Sequence, residues 1–540
     1  MRWRSRPSWG GAAVCAVLCA VLLAACGAVG ANTRGATDAT TSVRVLDPYG
    51  GDLAAEGTPK TGGNLIIGND REIVSFDPAR QNGNVVAQAI YDLLFRIGPD
   101  GTVQPWMASS INSGDNGLTW RLGLRDGVTF SDGTPLDANA VIVNTQRHID
   151  KPTSPAHAYA DTIASMRAVD PLTVEFTLKQ PLGDFPVFFA QAFNAGSLGM
   201  IVSPAALAQY GDDIANHPVG AGPFVMDSWV RDNKMTLKKN PNYWKAGQPY
   251  LDSIEFRPLP DTETRYSTMQ NGDVDMIYGG YNNELVRAFG NPNLKVYYGP
   301  GNGGFFFYFN FQQKPFDDRR MREAVVRAID LNALGASQYM GQLIGADGLF
   351  QDDSPYHNPE SSAAWPKYDP EKAKQLVQEY VASGGTASFS FSTSRSEVSL
   401  GEFVQAQMAA VGITVDLKFY DLAEFTSRVI QSGDFNLISW VNTFDYPYPG
   451  AARLLRSDGN VNYGKYANPE VDRLLDEAGA TTDAAQRAKD YQQVELLSNQ
   501  DIAVAWLSRS YLSTITKPDV KGIDRYLSRD LFYGSLWLDR

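Results

Sequence analysis

Cysteine is nearly absent from this 540-residue chain: Cys15, Cys19 and Cys26 are the only three, and none follows. A folded body without cysteine has no disulfide framework and no thiol nucleophile, so its stability must come from burial. Histidine is almost as scarce. His148, His157, His217 and His357 are the whole set, with no close metal-ligand spacing among them, which argues against a tight metal cage. Basic charge is in deficit, with 47 Lys and Arg against 60 Asp and Glu and a formal net charge of −13. Such a balance offers no basic patch for phosphates, so nucleic acid is not an expected partner. After Cys26 there is no apolar run of membrane-spanning length, which takes about 20 residues. Gly-x-Ser-x-Gly and His-Glu-x-x-His are missing too, removing two common hydrolase signatures.

What is present begins at the amino end. Arg2, Arg4 and Arg6 precede a small apolar run from Ala12 to Ala25, too short to span a bilayer and read as a signal peptide, residues 1–25. That run ends in Leu23-Ala24-Ala25-Cys26, which resembles the lipobox of bacterial lipoproteins. The resemblance implies cleavage before Cys26, diacylation of its sulfur and attachment to the membrane through lipid alone. Residues 26–60 are rich in Gly, Ala, Thr and Asp with few large apolar side chains, so a flexible tether is expected there. At this length it would span on the order of 30 Å.

The remaining chain is long enough for two or three domains. Short apolar strands are expected at 63–68, 119–122, 173–178 and 235–237, alternating with helical runs. Asp317 and Asp318 can cap a helix whose apolar residues Met321, Ala324, Val325, Ala328 and Ile329 keep a spacing of three and four. Another helix is expected over about Glu402–Ala410, then a strand over Ile413–Leu417. Alternation of this kind implies α/β layers with parallel pairing.

The run Trp120-Arg121-Leu122-Gly123-Leu124-Arg125-Asp126-Gly127-Val128-Thr129-Phe130-Ser131-Asp132-Gly133-Thr134-Pro135-Leu136 reads as a strand followed by tight turns. Asp126-Gly127 and Asp132-Gly133 are turn pairs, and Asp137 can cap the next helix. Further blocks follow in order: Ser75-Phe76-Asp77-Pro78-Ala79, Pro218 to Phe224, Asn240-Pro241-Asn242-Tyr243-Trp244, Gly272-Asp273-Val274-Asp275, Phe305 to Asn310, and Tyr368-Asp369-Pro370. From about Gly63 to Leu538 the chain resembles the family 5 extracellular solute-binding proteins of ABC importers. These blocks are scaffold, and identify the family without marking a site.

The resemblance implies an α/β, two-lobed periplasmic-binding-protein fold of type II, in the large peptide-binding class with an extra subdomain. Two crossing segments, Gly303–Asn310 and about Ala503–Leu512, would hinge the lobes. Lobe one would comprise residues 61–303 and 508–540, with a subdomain inserted at about 81–217, and lobe two residues 304–507. It further implies no catalysis and no cofactor. The partners would be short peptides as ligand and the permease and ATPase subunits of an importer, on the outer face of the cytoplasmic membrane (periplasm or cell envelope).

The candidate ligand site is the strand Phe435–Trp440 and the loop expected after it, Val441-Asn442-Thr443-Phe444-Asp445-Tyr446-Pro447. Peptide-binding relatives place an acid three residues past the Trp, where it meets the peptide's α-ammonium. Here Thr443 holds that place and Asp445 lies two further on. Two readings of Asp445 stand, a ligand anion in a dry cleft or a solvated turn acid beside prolines. Asn442 is the uncharged fallback. Trp440 is either a stacking platform or a core aromatic. Arg395, after a strand in lobe two, is either an exposed loop residue or the partner of a ligand carboxylate.

Two other functions remain open from sequence alone. Haem or a metal chelate could replace the peptide, with tyrosine or methionine as ligands. A cell-surface hydrolase is the third.

Overall fold

The computed structural model describes residues 53–80, 85–98, 101–191, 197–278, 282–341, 343–421, 424–444, 446–524 and 531–540. Cys26 and Asp445 lie outside these residues.

Two large sheets carry the fold. The first has seven strands in the order Lys295–Pro300, Tyr511–Thr516, Met276–Tyr278, Asn64–Asn69, Ser253–Pro258, Lys234–Lys239 and Phe224–Val230. The second has five, Thr414–Tyr420, Ser388–Ser394, Leu437–Phe444, Asn302–Phe309 and Val504–Ser508. A four-stranded sheet, Ala108–Ser113, Thr119–Leu124, Thr173–Leu178 and Ile163–Asp170, forms a subdomain inserted within the first. This is the expected α/β, two-lobed type II architecture.

The pairing is more mixed than the alternation of elements suggested. Parallel ladders occur on both sides of Asn64–Asn69 and of Ser388–Ser394. All ladders in the inserted sheet are antiparallel. Strands joined by tight turns return beside their predecessor, whereas parallel neighbours need a long crossover.

Burial follows position in the layers. Thr173–Leu178 alternates half-buried and buried residues, since only one face is covered, in part by the helix Ala138–Asp150. Asn302–Phe309 is buried at every residue, as a central strand covered on both faces must be. One continuous apolar core joins the inserted sheet to the five-stranded sheet, and a second lies in the seven-stranded lobe.

Local signals hold closely. Asp137, Asp318 and Asp369 accept from backbone N–H groups of the helices they precede, and Gly127 and Gly133 take positive φ of 76° and 85°. Asp317 is not the cap. The helix expected from Glu402 starts at Val398, because Ser394 caps a one-turn 3-10 helix, Arg395–Glu397, that runs directly into it. The following strand spans Thr414–Tyr420 rather than Ile413–Leu417.

The tether expected through Lys60 is tied down over its last residues. Leu53–Glu56 forms a 3-10 turn, the Glu56 carboxylate accepts from the Gly522 N–H at 2.6 Å, and Lys60 pairs with Asp539 at 2.7 Å. A charge-assisted bond to a backbone N–H is what composition could not register. Among the described residues no helix is long and apolar enough to cross a membrane.

Candidate functional site

Strand directions define the site. Ser388–Ser394 runs parallel to both Thr414–Tyr420 and Leu437–Phe444, so Ser394, Tyr420 and Phe444 end at one edge. Asn302–Phe309 is antiparallel to Leu437–Phe444, which sets Asn302 opposite Phe444, and Ser508 pairs with Phe305 nearby. The chain crosses between the two large sheets at that same edge, from Pro300 to Asn302 and from Ser508 to Tyr511. The two crossings touch, the Gly301 N–H donating to the Ser510 carbonyl at 2.9 Å. The carboxyl edge of the five-stranded sheet therefore faces the other lobe, the position where open α/β sheets hold ligands.

Arg509 secures the crossing. Its guanidinium is 5% exposed and donates to the carbonyls of Gly303 (3.1 Å), Gly348 (2.6 Å) and Phe350. Burial pushes it below the usual arginine range, opposed chiefly by the Glu495 charge.

The predicted residues divide as follows. Trp440 and Asn442 are not on either side of a strand end: the strand runs on through Phe444, paired residue for residue with Asn302–Phe309. Its distant partner strand, not its own composition, extends it. Trp440 is half-buried and meets Tyr463 edge-on, with centroids 5.0 Å apart. Asn442 lies opposite Gly304, and its buried Nδ2 has no hydrogen-bond partner among the described residues. Arg395 is exposed at the end of the neighbouring strand, again without a partner there. Trp440, Asn442 and Arg395 thus share one sheet edge. Asp445 lies outside the described residues, but its neighbours are held: Phe444 is buried and the Tyr446 hydroxyl donates to Asp184 at 2.8 Å. Burial, then the Asp184 charge, keeps the Tyr446 phenol well above its usual range, so it stays a donor.

A profile of the "Bacterial extracellular solute-binding proteins, family 5 Middle" matches residues 102–464. Glutathione-binding protein GsiB of Escherichia coli O6:K15:H31 is 31% identical over 454 residues, covering 80% of this chain and 86% of that protein. The chain belongs to family 5 of the bacterial extracellular solute-binding proteins. The oligopeptide-binding protein AppA of Bacillus subtilis, solved with a nonapeptide, is similar in fold, with a TM-score of 0.69, 21% identity, and coverage of 89% of this chain and 100% of that one. So is DppA of Helicobacter pylori, solved with the peptide STSA, with a TM-score of 0.72, 23% identity, and coverage of 89% and 99%.

As a family 5 protein the chain is an exported binding protein that serves an ABC importer, and membership decides against the surface-hydrolase reading. No finding favours haem or a metal chelate, and among the described residues no group of three or more His, Cys, Asp or Glu is placed to hold a metal.

Sequence reasoning missed one charged residue of this family 5 edge. Glu397, two positions after Arg395, accepts from the hydroxyls of Ser439 (2.6 Å) and Thr393. The sequence carries only Ser-Arg-Ser-Glu at a strand end, and the holding hydroxyls come from two different strands.

Proposed function

We propose that this chain is the lipid-anchored receptor of an ABC importer and captures short peptides between its two lobes. The lobes are taken as 61–303 with 508–540, carrying the subdomain 81–217, and 304–507. Cys26 bears the anchor, residues 26–60 are the tether that joins it to the lobes, with 53–60 tied to lobe one, and permease and ATPase subunits receive the load. The observation that carries this reading is the sheet edge facing lobe one, where a partnerless arginine follows one strand and an orphaned amide lies near the end of its neighbour. A buried donor without a partner is costly unless a ligand supplies the acceptor. An extended peptide would supply carbonyls to such donors as it lies along strand ends. The glutathione-binding relative and the peptide-bound structures with the same fold support peptide as the ligand class.

In this reading Asp445 meets the peptide's ammonium, Asn442 Nδ2 donates to a ligand carbonyl, Trp440 covers one side and Arg395 meets a carboxylate. Calorimetry on the purified protein with glutathione, Ser-Thr-Ser-Ala and a set of dipeptides tests the class. Asp445→Asn and acetylation of the peptide amino terminus, alone and combined, test the anchor. Each single change is expected to weaken binding by about 2–5 kcal/mol, and the pair by little more than one alone. No binding across the panel overturns the peptide reading; mild, additive effects remove Asp445 from the site.

A further inference from the structure

This inference rests on the peptide reading above and concerns which end of which kind of peptide the edge recognises. The turn after Ser388–Ser394 presents two opposite charges, Arg395 and Glu397. Its geometry is pinned, since Ser394 Oγ accepts from the Ser396 N–H at 3.3 Å and lies 2.9 Å from Ser396 Oγ. Glu397 precedes the helix Val398–Ala410 but makes no capping bond to it. Its Oε2 is instead the acceptor for Ser439 and Thr393, which are 6% and 0% exposed and lie 2.7 Å apart, hydroxyl to hydroxyl. The carboxylate is therefore set by two strands of the sheet rather than by a mobile side chain, while the residue remains half-exposed.

Arg395 is exposed and does not use this carboxylate: no ion pair joins the two. Apolar surface borders them. Val398 follows Glu397 and is 39% exposed, and Val441, on the same strand face as Ser439, is 54% exposed. A positive and a negative group, two residues apart on a pinned turn and not neutralising each other, complement a ligand head that carries both charges on one carbon.

We propose that Glu397 and Arg395 together read a free α-amino-acid head, its ammonium on Glu397 and its carboxylate on Arg395. The preferred ligands are then peptides linked through a side-chain carboxyl, which keep both charges on the first residue. An ordinary peptide has spent that carboxyl in its first peptide bond, leaving Arg395 without a partner beside the ammonium. An ammonium has three N–H donors, so a bond to Glu397 leaves two for other acceptors.

The test compares two isomers of identical composition by calorimetry: glutathione, whose glutamate is γ-linked, and α-linked Glu-Cys-Gly. Wild type is expected to bind the γ-linked isomer at least about tenfold more tightly, because a site built for a charged group rejects the analogue that lacks it. Glu397→Gln keeps an oxygen for both hydroxyls, and Arg395→Gln alters an exposed side chain, so both should fold. Each is expected to bring the two affinities within about twofold. Equal affinities in wild type, or a preference intact in both variants, overturn the proposal. Binding of Ser-Thr-Ser-Ala but neither isomer overturns it and leaves the peptide reading standing, whereas no binding of any peptide overturns that reading as well.

Discussion

Asp184 and Arg487 form a buried ion pair between the inserted subdomain and lobe two, with Asp184 Oδ1 2.9 Å from Arg487 Nε and side-chain exposures of 0% and 10%. The Tyr446 hydroxyl donates to the same oxygen, and Arg487 donates to Tyr446 (3.1 Å) and to the Thr481 carbonyl (2.6 Å). Beside them the Gly183 N–H donates to the Gly479 carbonyl at 2.8 Å. The residue after Asp445 is thereby fastened to the inserted sheet. Removing one partner strands the other charge away from water. Asp184→Ala is expected to lower unfolding stability by about 3–5 kcal/mol, and Asp184→Leu with Arg487→Met to recover most of it. Urea unfolding of the two variants checks this.

Gly303 stands at the crossing with φ 72°, and a Cβ there would lie 2.1 Å from the Asn442 carbonyl oxygen. Gly303→Ala must therefore strain the backbone and push the Leu437–Phe444 strand aside, at the position of the orphaned amide. We expect a lower melting temperature and at least about tenfold weaker peptide binding. Gly345→Ala is the control, since its Cβ would meet only Leu331 Cδ1 at an ordinary 3.6 Å.

Asp92 gives a pH dependence. Its carboxylate is 4% exposed and accepts from Trp106 Nε1 (2.6 Å), the Leu93 N–H (2.9 Å) and the Tyr243 hydroxyl (2.9 Å). Burial outweighs these donors and pushes it up to about 6 from 3.8. The folded state then holds a proton that the unfolded state has released between those values, so stability from this group falls as pH rises from about 4 to about 6 and is level above. Asp92→Asn cannot titrate. The stability of wild type minus that of Asp92→Asn is expected to drop by on the order of 2–3 kcal/mol across that window, read from denaturant unfolding at several pH values.

Cys26→Ser tests the anchor, because a serine oxygen is not a substrate for thioether lipidation. Wild type is expected to partition into detergent, and the variant to be unprocessed or released and to stay in the aqueous phase; equal partitioning of the two removes the anchor from Cys26.

Much of the fold could be read from residues that satisfy one another within a few positions. Asp137, Asp318 and Asp369 cap their helices because each carboxylate reaches an N–H two or three residues on, a geometry the chain carries locally. The motif order from Trp120 to Tyr368 marked the family for the same reason: turn and cap chemistry leaves a local trace. The Leu437–Phe444 strand exceeded expectation because its last residues are held by Asn302–Phe309, far away in the chain.

The site divides along the same line. Arg395 and Trp440 were legible as residue types at the ends of expected strands and Asn442 in the loop expected after one of them, while the first 26 residues carried only the signal-peptide pattern and the lipobox resemblance. That they share an edge with the crossings, and that Glu397 belongs with them, was decided by the parallel placing of Ser388–Ser394 against Leu437–Phe444. Thr393 and Ser439 hold Glu397 only when those two strands lie side by side, and Asp184 meets Arg487 only when the inserted sheet packs on lobe two. Short-range hydrogen bonds are written in neighbouring residues, whereas a buried charge chooses its partner only after the layers that exclude water have closed around it.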